Sequence, residues 1–253
     1  MTGAPSPSRF DEPWQAQLFA LTVALNEAGH FGWPEWTQAF GATLRRRGTE
    51  RPQDGSADYY AVPWRGRFDT ELGGVCVSHA IHSHDLLVSL LGPVKRVYAR
   101  TATRVNPIET EDCAAATLEF ESGALATLTA TLGSARESSR LRLAFEHFSA
   151  ESGVSPYQPG SEPWTFEPRS AAAAARIDAA LTGFEPGPEL YKGQFAAFHR
   201  ALSEGADPPV TTADARAAIE LVTAIYHSSR TGDAVALPLG PEHPLHRGWI
   251  PGR

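Results

Sequence analysis

Apolar positions along this chain fall into two textures. Near the start, Trp14, Leu18, Leu21 and Leu25 recur at i, i+4, i+7 and i+11, which is one face of a helix. Asp11 is placed to cap that helix, Pro13 is tolerated in its first turn, and Gly29 ends it. A second helix is predicted from Pro34, with Trp36 and Phe40 on one side, stopping at Gly48 after Arg45-Arg46-Arg47. Thr49 to Ala57 is polar and carries Pro52, Asp54, Gly55 and Ser56. That stretch is the predicted boundary between a helical segment, residues 1–57, and a second domain, residues 58–253.

Beyond the boundary the pattern shortens. Gly73-Gly74 leads an apolar run from Val75 to Val77, and a helix is predicted from Ser78 to Leu91, closed by Gly92-Pro93. Val94 to Val105 reads as a strand. Ala115–Phe120 and Ala124–Leu132 flank Glu121-Ser122-Gly123 as a hairpin. Leu141, Leu143 and Phe145 alternate with Arg142, Ala144 and Glu146, the signature of a half-exposed strand. Residues 150–188 are weakly patterned, with Ala171–Ala175 opening a helix. Two stronger helices follow, one striped by Tyr191, Phe195, Phe198 and Leu202, the other from Thr212 to Ser229 with Gly232 beyond its end. Strands followed by helices, with polar alternation in the strands, predict an α+β fold: an open-faced, mainly antiparallel sheet with flanking helices, plus an N-terminal α-helical hairpin.

Composition narrows the function classes. A chain of 253 residues, 42% apolar and 20% charged, is that of an ordinary globular protein. Its net charge of −7 argues against nucleic acid as a partner, and the three arginines complement the C-terminal end of their helix. The longest early apolar stretch, Leu18 to Leu25, is too short to span a membrane. Cys76 and Cys113 form neither C-x-x-C nor a disulfide framework, and Met1–Arg9 has no apolar signal region, so a cytoplasmic location is expected. No G-x-G-x-x-G turn occurs in these residues, so no Rossmann domain is expected and no cofactor bound by this chain alone.

His79, His82, His84 and Asp85 form the densest set of chemically capable side chains. An H-x-H followed by Asp is compatible with a metal site, but on a helix His82 and His84 point about 200° apart, whereas His82 and Asp85 share a face. A catalytic metal also needs a third protein ligand, and His147, His199, His227, His243 and His246 show no paired spacing, so no metal is expected. His79 and His84 read as lining the helix N-terminus.

The segment Tyr60-Ala61-Val62-Pro63-Trp64-Arg65-Gly66 through Gly74, His79 to Leu87, and Leu91-Gly92-Pro93-Val94 resembles the C-terminal substrate domain of the glucose–fructose oxidoreductase / inositol dehydrogenase / MocA family. Glu111 to Ala115, Ser122-Gly123-Ala124, Pro208 to Arg216 and Tyr226 to Gly232 extend the resemblance in order along the chain. It implies an NAD(P)-dependent sugar or polyol oxidoreductase in which His82 moves the hydroxyl proton. The family's Asp four residues earlier is Ser78 here, and Asp85, one turn on, is placed to share its role. Trp64, Arg65, Ser78 and His79 are the implied substrate-binding residues. The family's catalytic Lys and its nicotinamide site belong to a dinucleotide domain, so activity is expected only with a partner chain supplying one. The resemblance also implies a homodimer formed through the open sheet.

Phe10 to Leu21 and Gly32-Trp33-Pro34-Glu35-Trp36, running to Asp58-Tyr59-Tyr60, resemble the helical start of nitrile hydratase β subunits and their activator proteins. That similarity carries the alternatives: an accessory protein for metal loading or assembly that docks on a nitrile hydratase subunit, or a gene fusion without a selected activity.

Overall fold

The computed structural model describes residues 22–23, 26–27, 29, 32–34, 59–188 and 190–251. The predicted N-terminal helical hairpin lies outside the described residues apart from short helical stretches at 22–23, 26–27 and 33–34, and the boundary at 49–57 lies wholly outside them. By its internal contacts the chain divides into two units, one of residues 1–51 with 185–211 and one of 52–184 with 212–253. In the first, a helix runs Leu190–Glu204 (α4 below); its predicted stripe of Tyr191, Phe195, Phe198 and Leu202 is exposed.

The second unit carries the rest. In chain order its elements are α1 (Val75–Ser78), α2 (Ile81–Leu91), β1 (Val94–Ala102), β2 (Cys113–Phe120), β3 (Leu125–Thr131), β4 (Arg142–Ala144), β5 (Phe148–Glu151), β6 (Thr165–Pro168), α3 (Ala171–Leu181), α5 (Thr212–Thr231) and β7 (Val235–Ala236). Two antiparallel sheets form, one ordered β3-β2-β1-β7 and one ordered β4-β5-β6. The α+β class therefore stands, with the sheet divided in two.

One face of the larger sheet is the core. Val97, Ala99, Ala116, Leu118 and Phe120 point to it and are buried together with Leu221, Val222 and Ile225 of α5. The other face alternates outward with Arg96, Tyr98, Thr117, Leu125 and Thr127, as period-two patterning requires. Strand β7 covers only Arg96 and Val97 on the outer edge of β1. Further along that edge, the amides of Ala99 and Thr101 donate instead to the hydroxyls of Ser228 and Ser229, at 2.8 Å each. A run of two serines on α5 thus finishes a strand that would otherwise present unpaired amides.

Several boundaries differ from the sequence reading. The apolar run Val75–Val77 is helical, although two β-branched residues in three favour extended chain. The helix expected over 78–91 is interrupted: α1 ends at Ser78, and the amides of His79 and Ala80 both reach Val75 O before α2 begins at Ile81. Strand β1 stops at Ala102, not Val105. The Asp112 carboxylate takes the amides of Arg104, Val105 and Asn106 at 2.7–2.8 Å and bends the chain out of the ladder. The strand predicted through Phe145 ends at Ala144, and the weakly patterned stretch after residue 150 contains β6 and α3. Ser170 caps α3 by accepting from the Ala173 amide. Gly92 (φ +86°) and Gly123 (φ +83°) sit in left-handed conformations at the end of α2 and in the β2–β3 hairpin, where the sequence placed turns.

Burial would raise the Asp112 carboxyl, but the three amides outweigh it and hold it below the ordinary carboxylate value. Its contribution to stability is therefore present above the unfolded value of about 3.9 and lost as pH falls through the lower folded value. Asp112→Asn is expected to cost roughly 1.5–3 kcal/mol at pH 7, as loss of hydrogen bonds to a charged acceptor. Denaturant melts should show the two proteins converging only at pH below that carboxylate range.

Candidate active site

The site is organised by a buried glutamate. Glu111 lies next to last in the β1–β2 connection and is 5% exposed. Its carboxylate accepts from the amides of Gly74 and Cys76, each at 3.0 Å, and from the Tyr226 hydroxyl at 2.8 Å. Its own carbonyl accepts from the Val75 amide at 2.9 Å. The first turn of α1 is thus held by one side chain, which explains why Val75–Ser78 is helical despite its propensity. Gly74 is required because a methyl group there would run into the Glu111 carbonyl. Burial, with Glu111 beside it, pushes the Cys76 thiol well up, so Cys76 is packing rather than a nucleophile. Burial likewise raises the Tyr226 phenol.

From this anchor α1 and α2 carry the predicted residues. His82 is exposed on α2, and Asp85, three residues on, is partly exposed. Among the described residues neither has a hydrogen-bond or ion-pair partner. His84 points the other way and is 4% exposed, with Nδ1 buried and unpartnered. The opposed directions of His82 and His84 follow the helical geometry read from the sequence, and among the described residues no group of three metal-binding side chains converges.

Burial lowers the His84 imidazole to about 4. With an unfolded value near 6.5, that folded-state depression gives stability present above 6.5 and lost as pH falls toward 4. Acidification from pH 7 to 4 is expected to cost about 3 kcal/mol through this group alone, and His84→Leu should flatten that part of the stability–pH curve.

The four substrate-binding candidates also come together, around a residue that the sequence reading passed over. Tyr59 is 3% exposed. Arg65 donates to its hydroxyl and lies over its ring at 3.7 Å, and over the Trp64 ring at 4.3 Å. Arg65 is also paired with Glu71 at 2.7 Å, with side chains only 11% and 7% exposed. Its charge is spent within the protein, so Arg65 shapes the site from behind. The Ser78 hydroxyl donates to Gly74 O at 2.8 Å and stands 2.7 Å from His79 Nδ1. The direction of the Ser78–His79 hydrogen bond follows the tautomer of the imidazole. Ser78 therefore orients His79 and not His82. The His79 ring is 5.3 Å from Tyr59 and 5.5 Å from Tyr157 of the β5–β6 loop. Glu111 and Tyr157 were invisible as site residues because Glu111 acts across 35–37 residues and Tyr157 from an unpatterned loop, while Tyr59 and Glu71 lie six residues to either side of Arg65 but follow no helical or strand spacing.

The amides at the start of α1 already serve the Glu111 carboxylate, whose charge repels phosphate, and Ser170 occupies the start of α3.

Among the described residues no helix is long and apolar enough to cross a membrane. Residues 30–151 match the model of the GFO/IDH/MocA C-terminal domain, a match that begins ahead of the polar stretch at 49–57. A comparison with curated proteins finds no match. Among solved structures, the WlbA dehydrogenase from Bordetella pertussis, in complex with NADH and UDP-GlcNAcA, is 26% identical, with 73% of this chain and 51% of that one covered and a TM-score of 0.57. The WlbA dehydrogenase from Chromobacterium violaceum, with the same ligands, is 26% identical over 73% of this chain and 52% of that one, with a TM-score of 0.58. An aldose-aldose oxidoreductase from Caulobacter crescentus, complexed with glycerol, shares the fold at 21% identity, covering 69% of this chain and 50% of that one, with a TM-score of 0.54. The chain spans about half the length of these structures.

Proposed function

We propose that this chain is the substrate-side half of an NAD(P)-dependent oxidoreductase acting on a sugar or polyol, with the nicotinamide brought by a dinucleotide domain outside these residues. One observation carries the reading: the fold shared with NADH-bound dehydrogenases at 26% identity presents, on α2, an exposed histidine where the motif requires a proton acceptor. An exposed imidazole is suited to accepting the proton of a hydroxyl as that carbon is oxidised. In this reading His82 is the proton acceptor. Asp85, on the same helical face, is placed to orient the His82 ring. Ser78, holding His79, leaves Asp85 as the carboxylate available to that role.

Titration of NADH into the purified chain is the first test. No saturable binding below about 1 mM is expected, because these residues hold no G-x-G-x-x-G turn to cradle the phosphates. A micromolar dissociation constant, about −8 kcal/mol, would overturn the division of labour. Adding a separately expressed dinucleotide domain should then give polyol-dependent reduction of NAD(P)⁺, read at the nicotinamide absorbance. No reduction with any sugar or polyol would overturn the oxidoreductase reading.

The open face of the larger sheet is proposed to pair two copies. Arg96, Tyr98, Thr117, Glu119 and Leu125 line a shallow cavity of about 450 Å³ there, with Leu125 80% exposed. Light scattering should give twice 27.2 kDa, and Leu125→Glu, which places a carboxylate on that face at the edge strand β3, should return the monomer. A wild-type monomer at millimolar concentration would dismiss this arrangement.

A further inference from the structure

After β7 the described chain forms no further helix or strand, yet it is anchored to α5. Leu245 and Trp249 are the anchors, 9% and 8% exposed, and both belong to the core. Trp249 Nε1 donates to Thr223 Oγ1 at 3.0 Å, and its ring meets Tyr226 at 5.1 Å between centroids. The Trp249 carbonyl accepts from the Arg230 guanidinium. Thr223, Tyr226 and Arg230 follow one another at spacings of three and four, so this strap lies along one face of α5. Tyr226 also donates to Glu111, so the strap backs the ring that holds the anchor of α1.

The strap's own backbone bonds are few. The His243 amide donates to Gly240 O at 3.1 Å, the His246 amide to His243 O at 2.9 Å and the Gly248 amide to Leu245 O at 3.2 Å. A side chain closes the same turns, because the Leu245 amide donates to His243 Nδ1 at 3.2 Å. A backbone N–H can only donate, so Nδ1 is the unprotonated nitrogen and the neutral ring carries its proton on Nε2. Nε2 is buried and has no hydrogen-bond partner. The His243 ring stands T-shaped to His227 of α5, with centroids 4.5 Å apart.

A second proton on His243 can go only to Nδ1, where it confronts the Leu245 amide donor against donor. The surroundings do not compensate. His227 faces the ring from α5, and His246 lies one turn on in the strap. Asp233, just ahead of β7, and Glu242 of the strap line a cavity of about 440 Å³ together with both His227 and His243. Even with these carboxylates near, burial first, and then the His227 and His246 charges, hold the His243 imidazole below its ordinary value. Its contribution to stability is thus present above the unfolded value of about 6.5 and lost as pH falls through the lower folded value.

We infer that His243 is a pH-sensitive latch on the C-terminal strap: proton uptake at Nδ1 opens the turns from Gly240 to Gly248 and frees the strap from α5 while the sheets stay folded. A segment with few backbone bonds of its own is the kind that opens locally.

Hydrogen exchange of the full chain, read by mass spectrometry, follows residues 240–251 separately from α5 and the β1–β2 pair. After correction for the intrinsic pH dependence of exchange, strap protection is expected to fall roughly tenfold between about pH 7.5 and about pH 5, the effect of one lost hydrogen bond, while α5 and β1–β2 lose less. His243→Asn sets a carbonyl oxygen near the place of Nδ1 and does not titrate, so its strap should stay protected at both pH values. His243→Leu offers no acceptor, and its strap should be roughly tenfold less protected than wild type at the higher pH, with little further change at the lower. His227→Phe keeps the ring contact without a charge and should diminish the fall. His84→Leu, which removes the other buried imidazole, should leave it unchanged. Strap protection in wild type that does not respond to pH, or an equal fall in His243→Asn, would overturn the inference. So would a fall in the strap no larger than that in α5, since acid would then act on the whole unit and not on the latch.

Discussion

Replacing Glu111 with alanine is expected to lower the unfolding free energy by roughly 3–5 kcal/mol, because three donors lose their acceptor in a buried place. The Gly74 and Cys76 amides and the Tyr226 hydroxyl all converge on that carboxylate, and no water-exposed route replaces it at 5% exposure. Tyr226→Phe removes one of the three bonds and should cost about 1 kcal/mol. Glu111→Gln keeps one acceptor oxygen and should fall between them. The consequence should reach past stability, since α1 is a single turn held at its start by Glu111, and His79 lies immediately beyond its end. Denaturant unfolding followed by tryptophan fluorescence measures the series. A loss under about 1 kcal/mol for Glu111→Ala would show that the turn holds itself.

The second large effect concerns chemistry. Once a dinucleotide domain restores turnover, His82→Ala is expected to lower kcat by about 10²–10⁴, the usual loss for a general base. His84→Ala should instead act on stability, because that side chain is buried on the opposite side of α2 and its removal leaves a cavity. Asp85→Asn belongs between them, with kcat lowered less than in His82→Ala and KM changed little. Equal loss of kcat in His82→Ala and His84→Ala, with both proteins folded, would remove His82 from the reaction.

How much of this was legible in the sequence differs by element. Helix α5 and the β2–β3 hairpin follow from local signals: apolar spacing, a glycine just beyond a helix, a glycine at a turn. Those signals are carried by residues within a few positions of one another, so they survive without knowledge of the fold. The opposition of His82 and His84 was likewise readable, because once a helix is granted the direction of each side chain is set. The same holds for the pairing of His82 with Asp85.

What only the tertiary structure decided depends on partners that no local spacing pattern marks. Val75–Ser78 became helical because Glu111, more than thirty residues away, supplies the acceptor that its amides lack. Strand β1 ended at Ala102 because Asp112 draws the next three amides out of the ladder. Arg65, which its sequence context offers as a ligand for substrate, is neutralised by Glu71 and covered by Tyr59 and Trp64. Tyr157 reached His79 from a loop with no periodicity at all. In each case a buried hydrogen bond, charge or ring outweighed local preferences of a few tenths of a kcal/mol per residue, and such partners are chosen by the packing of the whole unit.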